Sequence, residues 1–341
     1  MNDFSVAIII PVKYFNPKLK KAIQECLNLD YPSFEVLVFP DETSDGFIPF
    51  EGKIKIIPSG NMGPALKRDM ALAHSKADIF AFLDDDAYPE PDWLKNAVKH
   101  FKKSEVAAVG GPSVTPPESS FAGAASGTAF ASITVSGPYT YRYVPGNKIM
   151  EVDDYPSCNF LVRREIFESL GGFDSSFYPG EDTKLCLEIT KKLNKKIIYD
   201  PEVLVYHHRR DLLIGHIQQV ANYAIHRGNF SKRFPETSRK IVYFMPSLFV
   251  GLLLSGAGVV CIFPVLKSFY LGCISLYLAI ITANAVWVLL IDKKVSFFKK
   301  GLLIAPAIVF IGITHIVYGI FFIKGIFLKQ LKEEKKDGIN F

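Results

Sequence analysis

The sequence predicts an α/β domain built on a mostly parallel sheet, followed by an α-helical membrane region. Three observations carry this. Apolar β-branched runs alternate with segments of helical period through residues 1–240, and the first such runs end at Pro or Asp. Residues 241–341 hold three long charge-free stretches.

Taken in order, Ser5–Ile10 is a continuous apolar run stopped by Pro11, Leu19–Leu29 has helical spacing, and Phe34–Phe39 is a second buried strand ended by Pro40 and Asp41. This is a βαβ opening. Lys53–Ile57 reads as a short strand, Pro64–His74 as a helix entered through Gly63, and Ile79–Leu83 as a strand running into Asp84-Asp85-Asp86. Pro11, Asp41 and the three aspartates therefore fall at carboxyl ends of strands, where open α/β sheets collect ligands. Gly110–Asn147 is rich in small residues and poor in charge and reads as a long adaptable loop. Ile166–Leu170 and Thr183–Leu193 return to helix, Lys196–Tyr199 and Val203–Tyr206 to strand. Tyr206–Lys240 holds His207, His208, His216 and His226 with seven Lys and Arg, and reads as a basic amphipathic connector along a membrane surface. The expected division is thus a domain over 1–240, ending in the connector 206–240, and a membrane region over 241–341.

The charges divide the same way. Residues 1–240 carry 29 Lys and Arg against 30 Asp and Glu, and residues 241–341 carry 10 against 4, so the formal +5 is a near-neutral domain with a basic remainder. Phe244–Leu266, Phe269–Ile291 and Gly301–Ile323 each run 23 residues without a charge, enough to cross a hydrocarbon core of roughly 30 Å as helices. Two to three such helices are expected, with a mean hydropathy of +0.19 for the whole chain. Nucleic acid is excluded as a partner because the domain itself has no basic excess; the basic remainder suits an anionic membrane surface. Five scattered cysteines without a CxxC suggest neither a disulfide framework nor a zinc site. No secretory signal is read at the amino terminus.

Three adjacent carboxylates at a strand end raise one another's pKa unless something neutralises them. Mg²⁺ or Mn²⁺ does so while binding phosphate oxygens, which makes Asp84 and Asp86 candidate ligands of a metal carrying a diphosphate. A solvated turn is the other reading. Glu181 and Asp182 open the helix after Pro179-Gly180, where a plain N-cap is the alternative to a carboxylate that deprotonates a hydroxyl. Together the two sites are what displacement at a sugar carbon bearing a nucleotide diphosphate requires.

Five motifs resemble, in order and spacing, those of family 2 glycosyltransferases, inverting enzymes of the Rossmann-like GT-A fold: Val6–Val12; the strand ending at Asp41 with Ser44-Asp45-Gly46 behind it; Gly63–Asp69; Phe82–Asp86; and Gly171-Gly172-Phe173-Asp174 followed by Gly180-Glu181-Asp182. The resemblance covers about residues 4–240. It implies that Pro11 and Val12 line the base pocket, that Asp41 accepts a hydrogen bond from base or ribose, and that Lys67 and Arg68 lie beside the diphosphate. It further implies that Asp84 faces the ribose, with Asp85 beside it in the nucleotide-sugar site, that Asp86 binds the metal with Asp84, and that Asp182 is the general base. His207 matches a position that adds a metal or diphosphate contact in some relatives. Asn159 and Glu181 are candidate substrate contacts.

The chain also departs from the pattern. Only Asp41 stands where paired acids are usual, Asp69 replaces Asn, and Lys184 replaces an acid and is expected to weaken Asp182 as a base. The Gln-x-x-Arg-Trp motif of processive synthases reads here Gln219-Val220-Ala221-Asn222-Tyr223, which argues against chain elongation.

The implied activity is transfer of a single sugar from a nucleotide-diphosphate sugar, with a UDP-sugar favoured, to a membrane-associated acceptor: a polyprenyl-diphosphate-linked saccharide or a polysaccharide. The alternatives are a processive polysaccharide synthase, a polyprenyl-phosphate glycosyltransferase and a non-catalytic nucleotide-sugar-binding scaffold. The catalytic part is expected on the cytoplasmic face of a multi-pass cell-membrane protein. Four lysines in Asp292–Lys300 agree with that orientation, whereas three full spans would put Lys329, Lys332, Lys335 and Lys336 on the other side. Pro306, His315 and Gly319 make the third segment the weakest span.

Overall fold

The apolar run after Phe4 becomes the strand around which the sheet is laid. The computed structural model describes residues 4–42, 52–292, 295–329 and 331; Ser44-Asp45-Gly46, Lys293, Lys294, Lys332, Lys335 and Lys336 lie outside these. Contacts divide the chain into two compact units.

The first unit takes the chain up to Val114 and Pro145–His207. Its strands are β1 (Val6–Pro11), β2 (Phe34–Phe39), β3 (Ile54–Ile56), β4 (Ile79–Leu83), β5 (Ala87–Pro89), β6 (Val106–Gly110), β7 (Ser113–Val114), β8 (Met150–Val152), β9 (Asn159–Arg163), β10 (Lys196–Tyr199) and β11 (Val205–His207). Eight of them form a sheet in the order β3-β2-β1-β4-β9-β6-β10-β8. It is parallel through β3-β2-β1-β4 and between β6 and β10; β9 and β8 run antiparallel to their neighbours. Every residue of β1 is buried, and each large aliphatic side chain so covered contributes about 1.5–3 kcal/mol. Because Pro11 pairs with Phe39 and Ile9 with Phe82, β1, β2 and β4 end together and deliver Val12, Asp41 and Asp84 to one edge.

A second sheet, β5-β11-β7, sets His207 opposite Ala87 and so next to Asp86. The helix expected over Pro64–His74 occurs as Pro64–Asp69 and Ala71–His74, hinged at Met70. Pro64 occupies its first turn, where no amide hydrogen is needed.

The second unit comprises Thr115–Val144 and His208–Gln330. Here the expectation of a loop over Gly110–Asn147 fails. Phe121–Ala131 is a helix capped by the Ser120 hydroxyl on the Gly123 amide, and nine of its eleven residues are buried. With no polar face it lacks the amphipathic contrast by which a helix is recognised in sequence. The connector forms the helix Leu213–Arg233, which buries His216, Val220, Ala224 and Phe230. Three apolar helices follow, Ile241–Ile262, Lys267–Ile291 and Phe297–Phe327, each long and apolar enough to cross a membrane.

Candidate active site

Helix Pro64–Asp69 lies against the carboxyl end of β1 and supplies two cations. Lys67 donates to the Val12 carbonyl at 2.6 Å and pairs with the Asp41 carboxylate, with both side chains buried. It thereby ties the ends of β1 and β2 together, so the charges of Lys67 and Asp41 face each other inside the protein. Pro11 and Val12 are buried beside them.

Arg68 reaches the other way. Its guanidinium donates to Asp84 at 2.7 Å and to Glu181 at 3.2 Å and lies over the Phe173 ring at 5.7 Å. Burial opposes the charge, but the Asp84 and Glu181 carboxylates outweigh it and hold the Arg68 pKa above its ordinary value. Arg68 Nε is buried without a hydrogen-bond acceptor.

The three aspartates are distributed among distinct partners. Asp85 accepts from Asn16 Nδ2 at 2.8 Å, and Asn16 is also the N-cap of helix Pro17–Leu27. Burial, with the Asp86 charge adding, pushes the Asp85 pKa up to about 6 against that hydrogen bond. Asp85 is therefore braced from beneath by a residue that sequence reasoning missed; a cap signal before Pro17 was its only trace. Asp86 lies 3.0 Å from His207 Nε2, and Asp84 lies 4.0 Å from the same atom. Burial disfavours a charged His207, yet Asp86, with Cys158 beside it, carries its pKa up to about 10.

Asp84, Asp86 and His207 each offer one ligand atom, all within 4.8 Å of one another. Two carboxylates and one imidazole suit a divalent cation that keeps room for phosphate oxygens, and the imidazole favours Mn²⁺ over Mg²⁺. The residues present fit such an ion.

Glu181 and Asp182 open the helix Glu181–Leu187. Glu181 is buried against Arg68, while Asp182 is half-buried and accepts the Thr183 amide at 2.7 Å and the Ser157 amide at 3.3 Å. Thr183 is anchored in turn by its hydroxyl on the buried Asp154, at 2.9 Å. Lys184, two positions after Asp182, pairs with Asp174 at 3.4 Å and Glu188 at 3.2 Å. Asp69 accepts the Phe173 amide at 2.8 Å, and a Cβ at Gly172 would lie 2.5 Å from its Oδ1. With φ at +83° as well, glycine is required there.

Asn159, expected as a substrate contact, is fully buried. Its Oδ1 accepts from the Trp93 indole at 2.9 Å, and its Nδ2 donates to the carbonyls of Gly111 at 2.6 Å, Val203 at 2.8 Å and Pro112 at 3.2 Å. It braces the sheet from inside and offers substrate no surface.

Residues 7–171 match the family model described as Glycosyl transferase family 2. A pre-mycofactocin glycosyltransferase from Mycobacterium tuberculosis is 27% identical over 256 residues, covering 73% of this chain and 52% of that protein. The chain thus spans about half the length of that relative. The dolichyl N-acetyl-alpha-D-glucosaminyl phosphate 3-beta-D-2,3-diacetamido-2,3-dideoxy-beta-D-glucuronosyltransferase of Methanococcus voltae is 23% identical over 265 residues, covering 73% of this chain and 80% of that one. In fold, a mannosyltransferase from Pyrobaculum calidifontis, solved with GDP-Man and Mn²⁺, matches with a TM-score of 0.61 at 19% identity, over 90% of this chain and 86% of that one.

Proposed function

We propose that the domain matched by the family 2 glycosyltransferase model over residues 7–171 acts on a nucleotide sugar, and that the protein transfers one sugar, with inversion, to a lipid-linked saccharide at the cytoplasmic face of the membrane. The observation that carries this is the Arg68 bridge. One guanidinium joins Asp84, at the candidate metal group, to Glu181, beside the candidate base Asp182. A donor site and a base held in register by one side chain are what direct displacement at an anomeric carbon needs.

In this reading Asp84, Asp86 and His207 would hold Mn²⁺ or Mg²⁺, and such an ion would supply positive charge to offset that of the diphosphate. Asp182 takes the proton of the acceptor hydroxyl as that oxygen bonds to the anomeric carbon. The bond from that carbon to the diphosphate oxygen breaks, and the nucleoside diphosphate leaves. Arg68 keeps Glu181 and Asp84 at fixed spacing and adds positive charge beside the leaving group. The lipid-linked acceptor is supported by the dolichyl phosphate named in the Methanococcus relative and by the apolar helices.

The test is transfer from a panel of UDP-, GDP- and dTDP-sugars to polyprenyl-diphosphate-linked saccharides, polyprenyl phosphate and free saccharide, with Mn²⁺. A single residue added to the lipid-linked saccharide is expected. Long polymer, or transfer only to lipid phosphate, would replace this reading with one of its enzymatic alternatives, and donor binding without turnover on any acceptor would make the protein a scaffold.

A further inference from the structure

We propose that only the first two apolar helices cross the bilayer, and that the third, Phe297–Phe327, lies in one leaflet as an in-plane layer whose outer face seats in lipid. Leu328 and Lys329 then lie on the face of the membrane from which Lys240 enters it.

Ile241–Ile262 and Lys267–Ile291 form an antiparallel hairpin. The Tyr270 hydroxyl donates to the Leu253 carbonyl at 2.8 Å, and further along both helices Phe249 stacks on Tyr277 with ring centroids 4.5 Å apart. Positions on one arm fall as those on the other rise. The third helix meets both arms at His315, whose Nδ1 lies 2.9 Å from the Tyr277 hydroxyl and whose ring lies 6.0 Å from Phe249.

From His315 toward its end, the third helix climbs the first arm toward that arm's beginning. The Ser247 hydroxyl donates to the Gly319 carbonyl at 2.8 Å, a Cβ on Gly319 would lie 2.5 Å from the Pro246 carbonyl, and Phe322 meets Phe244 at 4.9 Å. From His315 toward its start it climbs the second arm toward that arm's end. Leu303, Ala307 and Phe310 share one apolar cluster with Ile281, Ala285 and Leu289, and only residues 292–296 join the two helices. The third helix is therefore antiparallel to both arms of a hairpin whose arms are antiparallel to each other. A third span cannot satisfy this. A helix laid across the open end of the hairpin does.

Polar groups hold both of its ends at that level. Near its start, Lys299 Nζ donates to the carbonyls of Pro117 and Ser119 at 3.4 and 3.5 Å. Past its end, the Leu328 carbonyl accepts from Asn229 at 2.9 Å and Lys232 at 3.2 Å, and the Lys329 carbonyl accepts from Arg233 at 3.1 Å. Asn229, Lys232 and Arg233 all precede the first apolar helix in the chain. At that helix's beginning Tyr243 stacks on Tyr139, with Arg142 and Lys240 over the Tyr139 ring, the aromatic and basic belt expected at a bilayer surface.

The occupant of the outer face is a lipid leaflet. Val309, Ile316, Ile320 and Ile323 are exposed there, continuous in character with the exposed Leu252, Leu254 and Phe269 of the hairpin. Placed this way, Lys299, Lys300, Lys324 and Lys329 join the connector's basic residues on one face. The lysines that three spans would strand on the wrong side then obey the positive-inside rule.

Single cysteines at Lys20, Val265 and Lys329, all exposed, in a full-length Cys261→Ser, Cys273→Ser background, test this in sealed membrane vesicles of known orientation with a membrane-impermeant maleimide. Lys329→Cys and Lys20→Cys are expected to label from one side and Val265→Cys from the other. Labelling of Lys329→Cys only from the Val265 side, or of all three from one side, overturns the proposal. Spin labels at Val309 and Ile323 give a second measure, since 14 residues of helix are about 21 Å long. Depths in the same leaflet are expected, and depths on opposite sides of the midplane overturn it. Neither readout depends on the activity proposed above.

Discussion

Arg68 and Glu181 stand 113 positions apart in the chain and meet as a buried ion pair, Nη1 to Oε1 at 3.2 Å, with both side chains about 5% exposed. Both charges are desolvated in such a pair, but Arg68 keeps Asp84 at 2.7 Å when Glu181 is neutralised. Glu181→Gln is accordingly expected to cost about 1–3 kcal/mol of stability, read as a fall in Tm of the detergent-solubilised protein. Arg68→Met combined with Glu181→Gln should cost less than the sum of the two single changes. Strict additivity would show that the two groups do not act as a pair.

The group Asp84, Asp86 and His207 predicts metal dependence with a graded loss. Chelation should abolish transfer, with recovery on adding Mn²⁺. His207→Ala removes one ligand of three and should raise the Mn²⁺ concentration for half-activity at least tenfold, about 1.4 kcal/mol, whereas Asp86→Ala should leave no measurable recovery. Mn²⁺ titrations of the three proteins side by side check the order.

Asn159 separates a brace from a substrate contact. Asn159→Ala removes the partner of the buried Trp93 indole N–H and of the Val203 carbonyl, while the Gly111 and Pro112 carbonyls keep the Tyr155 hydroxyl and the Val205 amide, and each orphaned buried group costs about 1–3 kcal/mol. The expected result is a large fall in Tm with the donor KM of the folded fraction unchanged. A raised KM at wild-type Tm would restore it as a substrate contact.

What the sequence disclosed, and what it hid, follows the same division. Val6–Pro11, Phe34–Phe39 and Ile79–Leu83 were legible because a strand buried on both faces is a bare apolar run, and the Asp84–Asp86 run was legible because three adjacent carboxylates need a reason. Asn159 and the contact of Asn16 with Asp85 were not, since Asp85 lies 69 positions from Asn16 and the four partners of Asn159 lie 44–66 positions away, three of them backbone carbonyls. The meeting of His207 with Asp86 depends on the register of β11 on β5, which no local pattern states. Helix Phe121–Ala131 stayed hidden because uniformly small residues carry no period.

Asp200 gives a pH prediction. Its carboxylate is buried, with His100 Nε2 at 2.7 Å, Lys99 Nζ at 3.1 Å and the Glu202 amide at 2.9 Å. Burial alone would raise its pKa, but these partners overcome that and hold it below the ordinary carboxylate value. A group depressed in the folded state stabilises above its unfolded pKa, about 3.9, and that contribution fades as pH falls through the folded value. The Tm of wild type should therefore drop on acidification below about pH 4 more steeply than that of Asp200→Asn. Parallel slopes would remove Asp200 from the acid response.

Asp182 carries the sharpest prediction about chemistry. Its carboxylate accepts the amides of Thr183 at 2.7 Å and Ser157 at 3.3 Å, while the neighbouring Lys184 pairs with Asp174 and Glu188. Asp182→Asn preserves size and one acceptor oxygen but cannot take a proton. A positioned base contributes about 10²–10⁴ in rate, so kcat should fall by that factor while donor KM and Mn²⁺ affinity stay within about twofold. Lys184→Ala, by contrast, removes the cation paired with Asp174 and Glu188 but keeps the Asp182 carboxylate, and should leave kcat within about threefold. Wild-type turnover in Asp182→Asn would end its assignment as the base, and a matching fall in Lys184→Ala would show that the helix start, not the carboxylate, governs the rate.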